Sequence, residues 1–177
     1  LTLAAKAATG TTGFSIDGSA FTGQLTVTGT AAADIIKGGS GKDIISLANG
    51  DTATGNGGAD KFIVDITPAG ATAANFAAVM ASITDFATGT DTLKLSATAA
   101  TSANFTKATA AVADFTAALA AADTALDGTV KYNVQFVGND AYVFFDADGT
   151  IAAADTEVVK LVGVGLTGFA MTDIVAA

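Results

Sequence analysis

From about Gly29 to Ile63 aspartate returns at a nearly fixed interval in a glycine-rich setting. Asp34, Asp43, Asp51 and Asp60 are separated by 9, 8 and 9 residues, and two positions after each stands an apolar residue: Ile36, Ile45, Ala53 and Phe62. Such a period means one small unit repeated, each unit stacking on its neighbours because none can bury its apolar face alone. Gly38-Gly39-Ser40-Gly41-Lys42-Asp43-Ile44-Ile45 carries the fullest copy, Gly55 to Phe62 a good one, Gly29 to Ile36 a sparse one, and Ser46 to Ala53 a shortened one. Upstream, Gly23 to Val27 keeps the rhythm with Leu25 where Asp would fall, as an apolar cap on the stack.

The residue types follow from geometry. Each unit must turn tightly while aiming carbonyls inward, which glycine and asparagine tolerate because they accept positive φ. The Asp adds a carboxylate beside those carbonyls. The apolar residue two positions on sits in a short strand and points into the roll. If each unit is half a coil, units two apart stack, placing Asp34 over Asp51 and Asp43 over Asp60, both 17 residues apart. Two carboxylates so close repel unless something positive lies between them. The Gly-Gly-x-Gly-x-Asp-x-apolar pattern is that of calcium-binding nonapeptide rolls.

Composition narrows the chemistry. The chain has 177 residues, no cysteine, no histidine and a formal charge of −9, from 17 acidic and 8 basic residues. Thiolate and imidazole chemistry and the usual zinc or copper ligands are thereby absent, leaving hard oxygen ligands that suit calcium. The charge argues against nucleic acid or an anionic membrane as partner. No apolar run reaches the length of a transmembrane helix. Leu1 to Lys6 lacks the regions of a signal peptide, and the chain reads as a piece of something longer.

Beyond Pro68, the only proline, the character changes. Phe76, Val79, Met80 and Ile83 recur at helical spacing, as do Val112, Phe115, Leu119 and Leu126; Asp91 to Leu95 alternates like a strand. Lys131–Val137 and Ala141–Phe145 flank Gly138-Asn139-Asp140 as a hairpin, and Glu157–Val162 is a further strand. The expectation is a mainly β chain: a parallel β-roll with its amino-terminal cap over 1–66, then a β-rich, sandwich-like region over 67–177 with one or two short helices.

These repeats resemble the repeats-in-toxin β-roll family of bacterial proteins exported by type I secretion. Ile83 to Leu95 resembles the segment that follows the roll in that family, its secreted metalloproteases included, while Ala141–Gly149 and Asp155–Gly163 resemble the ends of exported surface-layer proteins. The resemblance implies calcium ligation by Asp34, Asp43, Asp51 and Asp60, completed by carbonyls of Gly39, Gly41, Asn49, Gly50, Asn56 and Gly58. Ala31 to Ala33 and the residue missing from the third repeat depart from the pattern and weaken the Asp34/Asp51 site. Asp85 and Asp91 either cap the last coil with an extra ion or serve as turn residues. Asp146 and Asp148, with Asp155 and Glu157 beyond, form either a calcium loop or an Asp-capped turn; Ile151 stands where an EF-hand needs glycine.

The resemblance further implies an uncleaved export signal within Gly163 to Ala177, the type I exporter as a partner, and a place outside the cell or on its surface. Calcium-triggered folding after export, in a self-assembling surface layer or adhesin, is the functional expectation. The competing one is the export and folding appendix of a secreted hydrolase. The chain itself carries neither His-Glu-x-x-His nor Gly-x-Ser-x-Gly, so it is expected to be no enzyme. Glycoside cleavage by paired carboxylates is set aside, because the Asp pairs lie in glycine turns without aromatic sugar platforms.

Overall fold

A computed structural model describes residues 2–4, 12–66, 72–95, 98–146 and 156–176. In chain order the elements are β1 (Thr2–Ala4), β2 (Ser15–Asp17), β3 (Thr26–Thr28), β4 (Ile35–Lys37), β5 (Ile44–Leu47), β6 (Thr52–Thr54), β7 (Lys61–Val64), α1 (Ala73–Val79), β8 (Ala81–Ile83), β9 (Thr92–Lys94), β10 (Phe105–Lys107), α2 (Phe115–Ala125), β11 (Tyr132–Val137), β12 (Asp140–Phe145) and β13 (Glu157–Leu161).

Successive strands of the repeat region alternate between two parallel sheets. One runs β1-β3-β5-β7-β9; the other contains β2, β4, β6 and β8. The residue two after each repeat Asp marks the register: Val27, Ile45, Phe62 and Leu93 stack along the first sheet, and Ile16, Ile36, Ala53 and Ile83 along the second. All but Ile16 are fully buried, so one apolar residue per half-coil builds the wall of the core. Strands are only three or four residues long because each supplies one or two inward side chains between turns.

The second sheet does not end with the roll. β8 pairs in parallel with β13, β13 and β12 and β11 run antiparallel, and β10 lies parallel to β11, giving the order β10-β11-β12-β13-β8-β6-β4-β2. β11 and β12 form the expected hairpin, turning at Gly138 with φ 59°. One face of this extension joins the roll core through Tyr132, Val134, Phe136, Val143 and Leu161. Its other face carries Tyr142, Phe144 and Val158 under α1 and α2, where the Phe115 ring stacks on Phe144 at 5.9 Å.

Thr72 caps α1, its hydroxyl accepting from the Asn75 amide, and Asp114 caps α2 by accepting from the Ala117 amide. The second helical pattern, expected over 108–126, is shorter than its spacing suggested. Its first residues instead follow β10, and Val112 bridges to Val137. Among the described residues no helix is long and apolar enough to cross a membrane.

The chain end returns to the roll. A 3-10 turn at Met171–Asp173 precedes Ile174, which bridges in parallel to Leu93 of β9, and the Val175 amide donates to the Leu93 carbonyl at 2.9 Å.

Candidate metal centre

Turns that join the two sheets fall into two columns, one on each side of the roll. In the first, Phe14, Asp34 and Asp51 occupy equivalent positions; in the second, Leu25, Asp43, Asp60 and Asp91 do. Amides identify the rungs. The Phe14 amide donates to Asp34 Oδ1 and the Asp34 amide to Asp51 Oδ1, each at 2.8 Å. Across the roll the Leu25 amide donates to Asp43 Oδ1, the Asp43 amide to Asp60 Oδ1 and the Asp60 amide to Asp91 Oδ1, at 2.8, 2.8 and 2.9 Å. Each aspartate thus fastens the coil before it. The stacking of Asp34 with Asp51 and of Asp43 with Asp60 is present, and all five carboxylates are buried. Leu25 and Phe14 end the two ladders, since neither side chain can accept an amide.

The second carboxylate oxygen turns back on its own loop. Asp34, Asp43 and Asp91 accept there from the amide four residues earlier, Thr30, Gly39 and Ala87 respectively, whereas Asp51, in the shortened repeat, accepts from Ala48 three residues earlier. Asp60 breaks the rule. Its expected donors have been taken by Asp85, whose carboxylate accepts from the Gly55 amide at 2.8 Å and the Asn56 amide at 2.7 Å. Asp85 is therefore a turn-holding residue with its charge close to Asp60 and Asp91.

Burial pushes the Asp60 carboxyl up to about 6, with Asp91, Asp43 and Asp85 adding repulsion, and it pushes Asp51 up to about 6, with Asp34 adding to it. Asp91 is raised too, again first by burial. Stacked carboxylates in glycine loops are thus costly to ionise together.

The glycine loops are packed backbone to backbone. The Gly57 amide donates to the Gly39 carbonyl at 3.0 Å, and the Asn56 side-chain amide to the Gly38 carbonyl at 2.7 Å. Asn56 has φ 65° and Gly58 φ 122°; a Cβ on Gly58 would collide with the Gly41 carbonyl oxygen. Among the residues expected as ligands, Gly39, Gly41, Asn56 and Gly58 are thus gathered around Asp43 and Asp60. Asn49 and Gly50 lie in the opposite column beside Asp51, where the Gly50 amide donates to the Val79 carbonyl. Asp146 follows β12, buried and apart from these turns in sequence, and Asp148 lies outside the described residues, as does Asp155.

Among the described residues no three carboxylates, cysteines or histidines converge tightly enough to hold a metal by side chains alone. A cation in the second column would draw carboxylate oxygens from Asp43 and Asp60 and its remaining ligands from loop carbonyls. That all-oxygen, mixed donor set is typical of calcium and lacks the cysteine and histidine on which zinc sites are usually built. The residues of this column fit such an ion, which would relieve the mutual repulsion around Asp60.

Sequence reasoning missed Asp173. It is buried, its carboxylate accepting from the Gly89 amide at 3.0 Å, the Ala170 amide at 2.8 Å and the Thr88 hydroxyl. It pins the chain end to the turn before β9, and no glycine motif announces it.

No family model and no curated protein matches the chain. Among solved structures the fold is similar to the AlgE6R2 subunit of the mannuronan C5-epimerase of Azotobacter vinelandii, at 20% identity and a TM-score of 0.56, over 94% of this chain and 88% of that one. At that identity the likeness is one of fold.

Proposed function

We propose that this chain is a calcium-dependent structural module of a secreted protein that assembles at the cell surface, as a surface layer or adhesin. One observation carries the reading: buried Asp43, Asp60 and Asp91 stack in glycine loops, and Asp60 lacks the loop amide its neighbours have because Asp85 has taken it. Such a column is strained while its carboxylates are ionised and relaxes around a divalent cation. Because the coils bring the ligands together only when folded, binding energy becomes folding energy. With a Kd of about 10⁻⁴ M, in the range of extracellular calcium modules, millimolar calcium adds about 1.4 kcal/mol per site. Where calcium is scarce the roll stays open enough to be exported; outside, it closes. The net charge of −9 also resists close packing of copies until cations neutralise it, which ties assembly to the same ion.

A second reading is favoured by the comparison itself. The similar fold belongs to a subunit of an epimerase, so the parent protein is alternatively a secreted enzyme for which this chain is the non-catalytic module.

Circular dichroism and thermal melting in EDTA and in millimolar calcium test the calcium reading: the spectrum should sharpen and the melting temperature rise with the ion, and identical melts would refute it. Electron microscopy of the full parent protein with calcium separates the two parents, ordered arrays supporting the first and dispersed particles the second.

A further inference from the structure

We infer that the two columns of turns are chemically different: the Asp43/Asp60 column takes the cation, whereas Asp34 and Asp51 form a rung that needs none, the Thr30 hydroxyl standing where an ion would. The inference rests on the calcium reading above for its first half and on hydrogen bonds alone for its second.

An ionised carboxylate offers about four lone-pair sites. Asp34 receives three donors from within the chain, two amides and one hydroxyl whose single proton is shared between its oxygens. Its Oδ1 faces the Phe14 amide at 2.8 Å and the Thr30 hydroxyl at 3.3 Å; its Oδ2 faces the Thr30 amide at 2.6 Å and the same hydroxyl at 3.0 Å. Asp43, by contrast, receives one amide on each oxygen, from Leu25 and Gly39, and no hydroxyl among the described residues. Half of its accepting capacity remains for an ion; Asp51 also takes one amide on each oxygen, from Asp34 and Ala48, so the first column differs at Asp34. The position equivalent to Thr30 in the Asp43 loop is Gly39, which has no side chain to offer.

Close packing of glycine on carboxylate is common to both columns: a Cβ on Gly29 would collide with Asp51 Oδ2 and lie 3.3 Å from Asp34 Oδ2, and Cβ atoms on Gly38 and Gly55 would collide with Asp43 Oδ2 and Asp60 Oδ2. Ala33 packs its methyl against the Gly50 turn, 3.2 Å from where a Gly50 Cβ would stand. The Thr30 hydroxyl thus stands beside a carboxylate at a position where the loop across the roll has Gly39 and no side chain. The ladder is also shorter here, with Ala81 at the next rung, whereas the second column continues to Asp91.

The full chain should be melted in EDTA and in millimolar calcium as wild type, Thr30→Val, Thr30→Ser, Asp34→Asn and Asp60→Asn, with calorimetry giving the number of ions bound. Thr30→Val should lower the melting temperature equally in both conditions and leave the ion count and the calcium increment unchanged, and Thr30→Ser should restore wild-type melting. Asp60→Asn should weaken calcium binding roughly tenfold or more, since the count of charged ligands sets affinity. A smaller increment or one ion fewer in Thr30→Val or Asp34→Asn would overturn the inference. Should Asp34→Asn not fold, Thr30→Val decides alone. If wild type gains nothing from calcium, the calcium reading fails. Thr30→Val then still tests the hydroxyl rung: melting like wild type in EDTA would overturn it.

Discussion

Removing calcium should make this protein more stable in mild acid than at neutral pH, the reverse of the usual acid sensitivity. Asp51 and Asp60 are both held near 6 by burial and by neighbouring carboxylates, against an ordinary value near 4. A carboxyl raised on folding contributes stability that is fully present below its unfolded value and is lost as pH climbs through its folded one. Each therefore disfavours the folded state by up to about 3 kcal/mol above pH 6. Relaxation of the surrounding turns reduces such burial penalties, so about half that is expected, or about 3 kcal/mol for the two together. For a chain of this size that is a fall of roughly 6–12 °C in Tm between pH 4.5 and 7.5. The exposed carboxyls Asp17 and Asp127 are lowered by their hydrogen bonds and finish titrating before this window, and the chain has no histidine. Calcium should remove the share due to Asp60, because the ion binds the ionised form, and leave that of Asp51 in the cation-free rung. Thermal melts in EDTA and in calcium at several pH values measure both slopes. A Tm that stays level or rises from pH 5 to 7 in EDTA would refute the reasoning.

Three substitutions probe the backbone and the chain end. Gly58→Ala should cost at least about 2 kcal/mol and most of the calcium increment, because the new methyl meets the Gly41 carbonyl oxygen at φ 122°; Gly138→Ala, with φ 59° and nothing within 4 Å, should cost only about 1 kcal/mol, and urea melts of the pair give the contrast. Asp173→Ala leaves the Gly89 and Ala170 amides without their acceptor and should cost about 1–3 kcal/mol. Hydrogen exchange should then speed up at Gly89, Ala170 and Val175 ahead of β5 and β7.

How much of this was legible in the sequence depends on whether a residue acts through spacing or through distance. The interval of 17 carried the stacking of Asp34 on Asp51 and of Asp43 on Asp60, and the apolar residue two places later carried the register of both sheets. Leu25 as the end of a ladder was readable for the same reason. Thr30 was hidden because a hydroxyl four residues before an Asp is chemically ordinary until the carboxylate turns toward it. Asp173 was hidden because its partners Gly89 and Thr88 lie 84 and 85 residues away, and nothing local marks a chain end that completes a coil begun long before. Residues 108–114 kept a helical period yet are not helical, since Val112 bridges β11 and Asp114 starts the helix by capping it.

The ladder also explains why these positions are aspartate and not asparagine. Each side chain must accept an amide from the coil before it on one oxygen and, in most rungs, an amide of its own loop on the other. A carboxylate does both with like atoms, whereas an asparagine would set its own N–H₂ against one of those amides and lose the contact. Acceptors on both sides therefore require a charge, and stacking the coils then buries those charges and brings them together, so burial first and neighbouring carboxylates second raise Asp51, Asp60 and Asp91. Something must offset that repulsion at every rung. A proton does so in acid, a hydroxyl proton does part of it at Asp34, and in the glycine column a divalent ion would do so under the proposed function. Dependence on the ion is in this sense a consequence of how the coils are fastened: the same oxygens that set the register of the roll create the charge that calcium relieves.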